Sequence, residues 1–354
     1  MSIRDYRYIS NPAPRSVLST RLTPDNSKVS YVVVVSFRTH TLTKERDRTE
    51  TSVLPVNNPS QNCKMATTPQ YNYKYWSVQF PREHVAHVEI NRPDKLNAFI
   101  QQYAPSNALD QQHGHTDIGS RMWLEMRQLF DQLSVDPRVR AIVLTGAGDR
   151  AFTAGLDVKA ASTEVFGDKG GADTARKAII LRRYVLAFQD CLTAIERCEK
   201  TVICAMHGFA YGFAIDISSA TDIRICTQDV QFAVKEVDIG MAADIGVLSR
   251  LPKIVGSYGW VKEVAISARI FGADEALRVG FVNAVHSSKA AAVQAALDLA
   301  GLIAQKSPVA VMGTKELLNY SRDHSIHDGK FFVAFFFSFL FFFFFTRTFR
   351  GLRY

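Results

Sequence analysis

The sequence predicts an α/β fold, and three observations predict it. Short apolar runs bounded by turn residues alternate with stretches of helical period from about residue 84 to 305. Two of the strand-like runs lead into glycine turns and then into helical patterns. The hydrophobic fraction, 47% of 354 residues, is enough for a sizeable core.

Order is expected to begin near Trp76. Ala86, Val88 and Ile90 alternate with His87 and Glu89, as a half-buried strand requires, and Asn91-Arg92-Pro93-Asp94 breaks the run. Residues 101–121 are polar and without period, so they read as an inserted loop. His113 and His115 lie in it without the further ligands a metal site needs, and no metal is expected. Met122, Met126, Leu129 and Leu133 recur at helical spacing, with Trp123 and Phe130 beside them, until Asp136-Pro137. Ala141–Thr145 reads as a buried strand ending at Gly146. After a Gly/Asp-rich stretch, 167–173, a long helix carries the stripe Leu181, Val185, Phe188, Leu192 and Ile195. Thr201–Met206 is a strand, followed by glycines at 208 and 212 and strand-like pieces at Ile223–Cys226 and Gln231–Val234. Helical patterns fill 242–252, 257–268, 273–279 and 288–305.

The two ends differ from this core. Residues 1–75 hold Pro/Asn/Ser/Thr clusters and a charge run, and are expected as a disordered leader. Their first 24 residues, with four Arg and one acid, loosely resemble a mitochondrial transit peptide, and Met65 is an alternative start. Residues 329–354 form a Phe-rich tail, with 12 of the chain's 24 Phe after residue 330. Its 15-residue apolar run falls short of the roughly 20 residues of a membrane helix, so membrane association is not expected. A Phe homopolymer encodes no unique packing, and translated non-coding sequence is the favoured source. The net charge of +8 also sits on the ends. Residues 1–50 and 330–354 carry +4 each, whereas 51–329 balances 29 bases against 29 acids. A nucleic-acid footprint needs a basic surface on the folded part, so none is expected. Five cysteines without CxxC spacing point to a reducing compartment, and four of them lie in apolar stretches as small hydrophobes.

Chemistry concentrates in two turns and three acids. The turns are Phe152-Thr153-Ala154-Gly155-Leu156-Asp157 and His207-Gly208-Phe209-Ala210-Tyr211-Gly212-Phe213-Ala214-Ile215-Asp216. A strand–turn–helix junction presents free backbone N–H groups, and two such junctions facing each other can hold a developing oxyanion. The acids are Asp216, Glu236 and Asp244, all in apolar, small-residue surroundings. Burial there raises a carboxyl pKa towards values useful for proton transfer. Spacing alone leaves another reading open, in which Asp216 and Asp244 cap helices and Glu236 is a surface loop acid.

With these residues in view, the chain resembles the enoyl-CoA hydratase/isomerase (crotonase) superfamily. The stretches that carry the likeness are HVAHVEINRPDKLNAF (84–99), VRAIVLTGAGDRAFTAGLDVKAAS (139–162), KTVICAMHGFAYGFAIDISSATDIRICTQDVQFAVKEVDIGMAADIG (200–246), LPKIVG (251–256), ARIFGADEALRVGFVNAV (268–285) and KSPVAVMGTK (306–315). The resemblance implies a crotonase-like spiral of ββα repeats over 76–328, with a C-terminal helical region. Hydratases of the superfamily carry Glu at the position of Asp216 and Gly at that of Asp244. The trio found here is similar instead to the Δ3,5-Δ2,4-dienoyl-CoA isomerase branch. That likeness implies that the Leu156 and Phe213 N–H groups form the oxyanion hole, with Ala154, Gly155, Asp157 and Gly212 around the substrate. It implies that Glu236 and Asp244 exchange protons at the two ends of a diene while Asp216 orients or polarises. No cofactor is implied, since CoA is part of the substrate, and the expected assembly is a homotrimer or homohexamer in peroxisomes or mitochondria. Enoyl-CoA hydratase, or a non-catalytic protein on the same scaffold, are the alternatives. Two departures stand out. The second turn reads Gly212-Phe213-Ala214 where the family often has three glycines, so two side chains are expected to need room beside the substrate. The Phe-rich tail stands where the family's last helix would be.

Overall fold

The computed structural model describes residues 70–100, 122–157 and 173–334, all within the unit Thr67–Tyr354. The expectations for the leader up to residue 69, the 101–121 loop with its two histidines, the Gly/Asp-rich stretch up to residue 172 and the tail beyond 334 fall outside the described residues. Residues 70–75, expected as the end of a disordered leader, are instead ordered against the fold because Tyr71, Tyr73, Lys74 and Tyr75 are hydrogen-bonded to it.

Two sheets are threaded in alternation. The larger has six strands, β1 (Trp76–Arg82), β2 (Val85–Ile90), β3 (Ala141–Gly146), β5 (Thr201–Met206), β7 (Ile223–Thr227) and β10 (Ala284–His286), in that spatial order. β1 and β2 are antiparallel, and from β2 onward every pairing is parallel. The smaller sheet is β4 (Ala151–Thr153), β6 (Phe209–Tyr211), β8 (Gln231–Ala233) and β9 (Phe271–Gly272), parallel except for its last pair. β3–β4, β5–β6 and β7–β8 thus form successive two-strand steps, each laying one strand in either sheet. Helices α2 (Thr174–Arg197) and α3 (Phe213–Ser219) follow the first two steps. This is the predicted spiral of ββα repeats.

The central strands are buried on both faces, and their composition follows from that. In β3, Ile142 and Leu144 enter the large core, while Ala141 and Val143 face the opposite side. On that side lies α7 (Lys289–Ala304), which presents Ala296, Ala300 and Ala304 at i, i+4, i+8, so that the helix can approach closely. On the first side α1 (Met122–Val135) buries every apolar residue of its predicted stripe and packs along α2.

Two sequence expectations shift. The α2 stripe begins at Tyr184 rather than Leu181, which is 47% exposed, as Ile179 and Leu186 are also exposed. Only the C-terminal half of α2, buried through Phe188, Leu192 and Ile195, enters the core. The helix predicted over 242–252 is α4 (Val247–Ile254). Residues 240–246 are irregular because Gly240 and Gly246 take positive φ, 77° and 159°. α5 (Tyr258–Ser267) and α6 (Ala273–Arg278) then lead to β10.

α8 (Pro308–Asp323) buries no residue of its own and is held by polar ties. Lys315 Nζ donates to Asp222 at 2.8 Å and to the Lys200 carbonyl at 2.9 Å, while Arg322 pairs with Glu196. At the other end of the fold, residues ahead of β1 lie along α1. Tyr71 Oη donates to Asp136, Tyr73 Oη to Gln132, and the Lys74 and Tyr75 N–H groups to the buried Glu125 carboxylate. Cys191, Cys198, Cys204 and Cys226 are buried free thiols, as their apolar neighbours predict.

Candidate active site

Strands β4, β6 and β8 lie side by side and parallel, so the segments leaving their C-terminal ends emerge together. These are the turn 154–157, the turn at Gly212 and the segment carrying Glu236. Two glycines make the close approach possible. Gly155 has φ +87°, and a Cβ on it would stand 2.6 Å from the Tyr211 carbonyl oxygen and 3.4 Å from the Phe213 nitrogen. Gly212 has φ +53°, its N–H donates to the Ala233 carbonyl, and a Cβ on it would meet Glu236 Oε1 at 3.1 Å. One turn therefore lies against the other, and the Glu236 carboxyl lies against the second.

Hydrogen-bond accounting identifies which donors are free. The Ala154 N–H is taken by the Leu96 carbonyl, Gly155 by Thr153 Oγ1 at 3.1 Å, and Asp157 by the Phe99 carbonyl. Among the described residues no acceptor faces the Leu156 N–H. Gly212 N–H is bonded across the sheet, and Phe213 is the first residue of α3, where an N–H has no partner within the helix. The two expected oxyanion-hole donors are thus among the N–H groups the backbone leaves open, with that of Ala214, and they belong to the two turns in contact.

The Phe213 side chain does not need room beside the substrate, contrary to expectation. It is 1% exposed and packs between Phe99 and Phe188, each ring centroid 4.9 Å away. Ala214 is fully buried as well. Both side chains of the turn belong to the core. Asp157, expected near the substrate, directs its carboxylate to Arg92 at 3.1 Å. Arg92 also donates to the Ala98 carbonyl, so this pair ties the first turn to residues 92–99.

The three acids share one electrostatic neighbourhood. Asp216, in the first turn of α3, is fully enclosed, and Oδ1 accepts the Val247 N–H at 2.7 Å. Burial holds its carboxyl well above the usual range, the field of Glu236 adds to that, and the Val247 bond and Arg250 pull the other way. Glu236 begins a 3₁₀ turn, Glu236–Ile239, and its Oε2 is buried without a hydrogen-bond partner. Burial raises its pKa too, with Asp244 contributing. Asp244 lies in the irregular 240–246 segment and is exposed, although partial desolvation still raises its carboxyl, and Gln189 of α2 holds its backbone carbonyl. Asp216 does cap a helix, as the simpler sequence reading had it, but the helix is α4 across the fold rather than its own. Glu236 is no surface acid, since the Gly212 backbone leaves it facing the turn.

Sequence reasoning missed the supports of this site. Asn97, fully buried at φ +56°, donates from Nδ2 to the Ala147 and Ala151 carbonyls and accepts the Arg92 N–H. The signal available was an Asn just after a strand break, a position suited to left-handed backbone. Gln189 and Arg250 gave none, because their partners lie 55 and 54 residues away.

Residues 81–328 match the enoyl-CoA hydratase/isomerase family profile. The chain belongs to that family. Within it, the human mitochondrial Δ(3,5)-Δ(2,4)-dienoyl-CoA isomerase is 41% identical over 270 residues, 76% of either chain. The peroxisomal enzyme of the same name from Arabidopsis thaliana is 38% identical over 71% of this chain and 82% of its own. Carnitinyl-CoA dehydratase of Escherichia coli O157:H7 is 31% identical over 61% of this chain and 77% of its own. Among solved structures, enoyl-CoA hydratase from Bacillus anthracis superposes with a TM-score of 0.59 at 25% identity, over 72% of this chain and 86% of that one. This member of the enoyl-CoA hydratase/isomerase family therefore shares both the crotonase fold and, with the dienoyl-CoA isomerases, most of its length.

Proposed function

We propose that the protein is a Δ3,5-Δ2,4-dienoyl-CoA isomerase. The observation that carries the reading is a third acid, Asp244, in the same field as Asp216 and Glu236 beside two unengaged backbone donors. The relatives of the same name at about 40% identity support it. The thioester oxygen accepts the Leu156 and Phe213 N–H groups. Glu236, which lies against Gly212, removes a proton from C2, the carbon next to the carbonyl. The electron pair spreads over O1 to C6, and Asp244 delivers a proton to C6, leaving double bonds at C2–C3 and C4–C5. Asp216 fixes the start of α4 and sets the local field. The reaction is redox-neutral, and CoA enters as part of the substrate, so no cofactor is required. Each oxyanion donor contributes roughly 3–4 kcal/mol to lowering the barrier.

The placement that fits the relatives is mitochondrial or peroxisomal, and the assembly is a homotrimer or homohexamer. Exposed apolar residues on α8 and the following helical stretch, Val309, Leu318, Ile326 and Phe331, supply apolar surface for association. The experiment is a direct assay of the purified protein with a 3,5-dienoyl-CoA, following the conjugated 2,4-dienoyl-CoA by its ultraviolet absorbance. A protein that hydrates 2-enoyl-CoA faster than it isomerises the diene is a hydratase instead.

A further inference from the structure

Residues 92–99 and 151–157 are laced together more densely than a passing loop contact needs. Ala154 N–H donates to the Leu96 carbonyl, Phe99 N–H to the Gly155 carbonyl, and Asp157 N–H to the Phe99 carbonyl. Two consecutive non-glycine residues, Leu96 and Asn97, are held at φ +52° and +56° to make this possible. Left-handed backbone is unfavourable for a residue such as Leu96 and less so for Asn97. Strain of this kind persists only where the surroundings enforce it.

At the centre stands Thr153, fully buried at the end of β4. Its hydroxyl donates to the Asn97 carbonyl at 2.8 Å and accepts the Gly155 N–H at 3.1 Å. The second bond has a consequence for the site. Without it, Gly155 would present an open N–H one residue before Leu156, and a turn with glycine at φ +87° could swing either donor outward. With it, the Gly155 N–H is occupied and the Ala154–Gly155 peptide plane is fixed, while the next plane, which carries the Leu156 N–H, is held through the Phe99 N–H on the Gly155 carbonyl.

We propose that the Thr153 hydroxyl is a positioning residue for the oxyanion hole, selecting the Leu156 N–H as donor by engaging its neighbour. This rests on the oxyanion-hole reading of the preceding section. Thr153 touches no reacting atom and acts through the turn. A donor displaced by a fraction of an ångström loses part of its effect on the transition state, while binding of the rest of the acyl-CoA is untouched.

The test uses the full chain and the variants Thr153→Val and Thr153→Ser. Valine keeps the volume and removes both hydrogen bonds; serine keeps the hydroxyl. Thr153→Val is expected to lower kcat about 10- to 100-fold with KM within about twofold. In parallel, the infrared carbonyl band of bound 2,4-dienoyl-CoA, displaced by the oxyanion hole in the parent, should return towards its solution position. Thr153→Ser should restore both. If the valine variant keeps kcat and the displaced band while only its melting temperature falls, Thr153 is structural and the inference is overturned. If the valine variant does not fold, Thr153→Cys, similar in size but a feeble hydrogen-bonding group, replaces it, and equal kcat for cysteine and serine overturns the inference. A parent that displaces the band but does not isomerise the diene sinks the isomerase reading and leaves this one standing. A parent that does not displace the band removes the oxyanion hole and the inference with it.

Discussion

Enclosing Asp216 has a thermodynamic cost that a substitution should reveal. An Asp in the unfolded chain titrates near about 3.9. In the fold, burial and the charge of Glu236 hold it well above that. The native state therefore binds more protons between the two values, so the stability linked to this group is fully present below the unfolded value and lost as pH rises through the folded one. Asp216→Asn removes the titration and keeps an oxygen for the Val247 N–H. Its melting temperature should exceed the parent's by about 2–5 °C at pH 8, with a smaller gain at pH 5, while the isomerase rate falls. An equal shift at both pH values would falsify the linkage. Asp244→Asn bears on the chemistry. Proton return at C6 needs an acid beyond the base at C2, so the isomerase rate should drop about 10²–10⁴-fold with acyl-CoA binding retained. Glu236→Gln should slow the reaction comparably. Unchanged isomerisation in Asp244→Asn would leave the family membership standing without the proposed reaction. These three acids were legible in the sequence because each lies in small, apolar surroundings at a spacing that a family resemblance could interpret. The field that links them was not, because it depends on Gly212 admitting Glu236 and on Val247 reaching back to Asp216.

The elements divide along the same physical line. β3 and β5 could be read from continuous apolar runs, since a strand covered on both faces needs no alternation. α1 could be read because its whole stripe is used. The start of α2 was misread, since apolar residues at helical spacing do not reveal whether a partner lies opposite them. The segment Tyr71–Tyr75 gave no strand or helix signal at all, because its bonds run to α1, about 50 to 65 residues away. That strap should be measurable. Asp136 is held at about 2: burial opposes its ionisation, and hydrogen bonds from Arg138 and Tyr71 overcome it. A chain beginning at Trp76 loses the Tyr71 and Tyr73 bonds and both N–H donors to Glu125. At roughly 1 kcal/mol for each bond, urea unfolding should show it about 2–4 kcal/mol less stable than a chain beginning at Gln70. Equal midpoints would reduce the strap to a passive neighbour of α1.

Across the whole molecule, charge and apolar surface are distributed unevenly, and each has a consequence. The balanced charge of 51–329 leaves the folded part without a basic footprint. A chain of residues 70–334 should therefore bind RNA negligibly at physiological salt, and binding with a steep salt slope would contradict this. Among the described residues no helix is long and apolar enough to cross a membrane. The apolar excess lies at the C-terminal end, where the sequence alone suggested a cut after Asp328. The structure moves that cut. Tyr320 stacks on His324 at 3.7 Å between ring centroids and on Phe332 at 4.0 Å, so helical residues up to 334 contribute to holding the end of α8. Beyond Ala334 the sequence is FFFSFLFFFFF, a low-charge apolar run of the kind that drives association once exposed. A chain ending at Ala334 should therefore give more soluble protein than the full chain, with the same isomerase rate per folded molecule and the same oligomer on gel filtration. A chain ending at Asp328 should be soluble too but should assemble less completely, because the Phe332 stack and the exposed Phe331 go with the cut. If the 334 chain aggregates while the full chain runs as a defined oligomer, the Phe-rich run is a packed element of the assembly, and the exposed apolar residues of α8 are covered by it rather than by another subunit's helices.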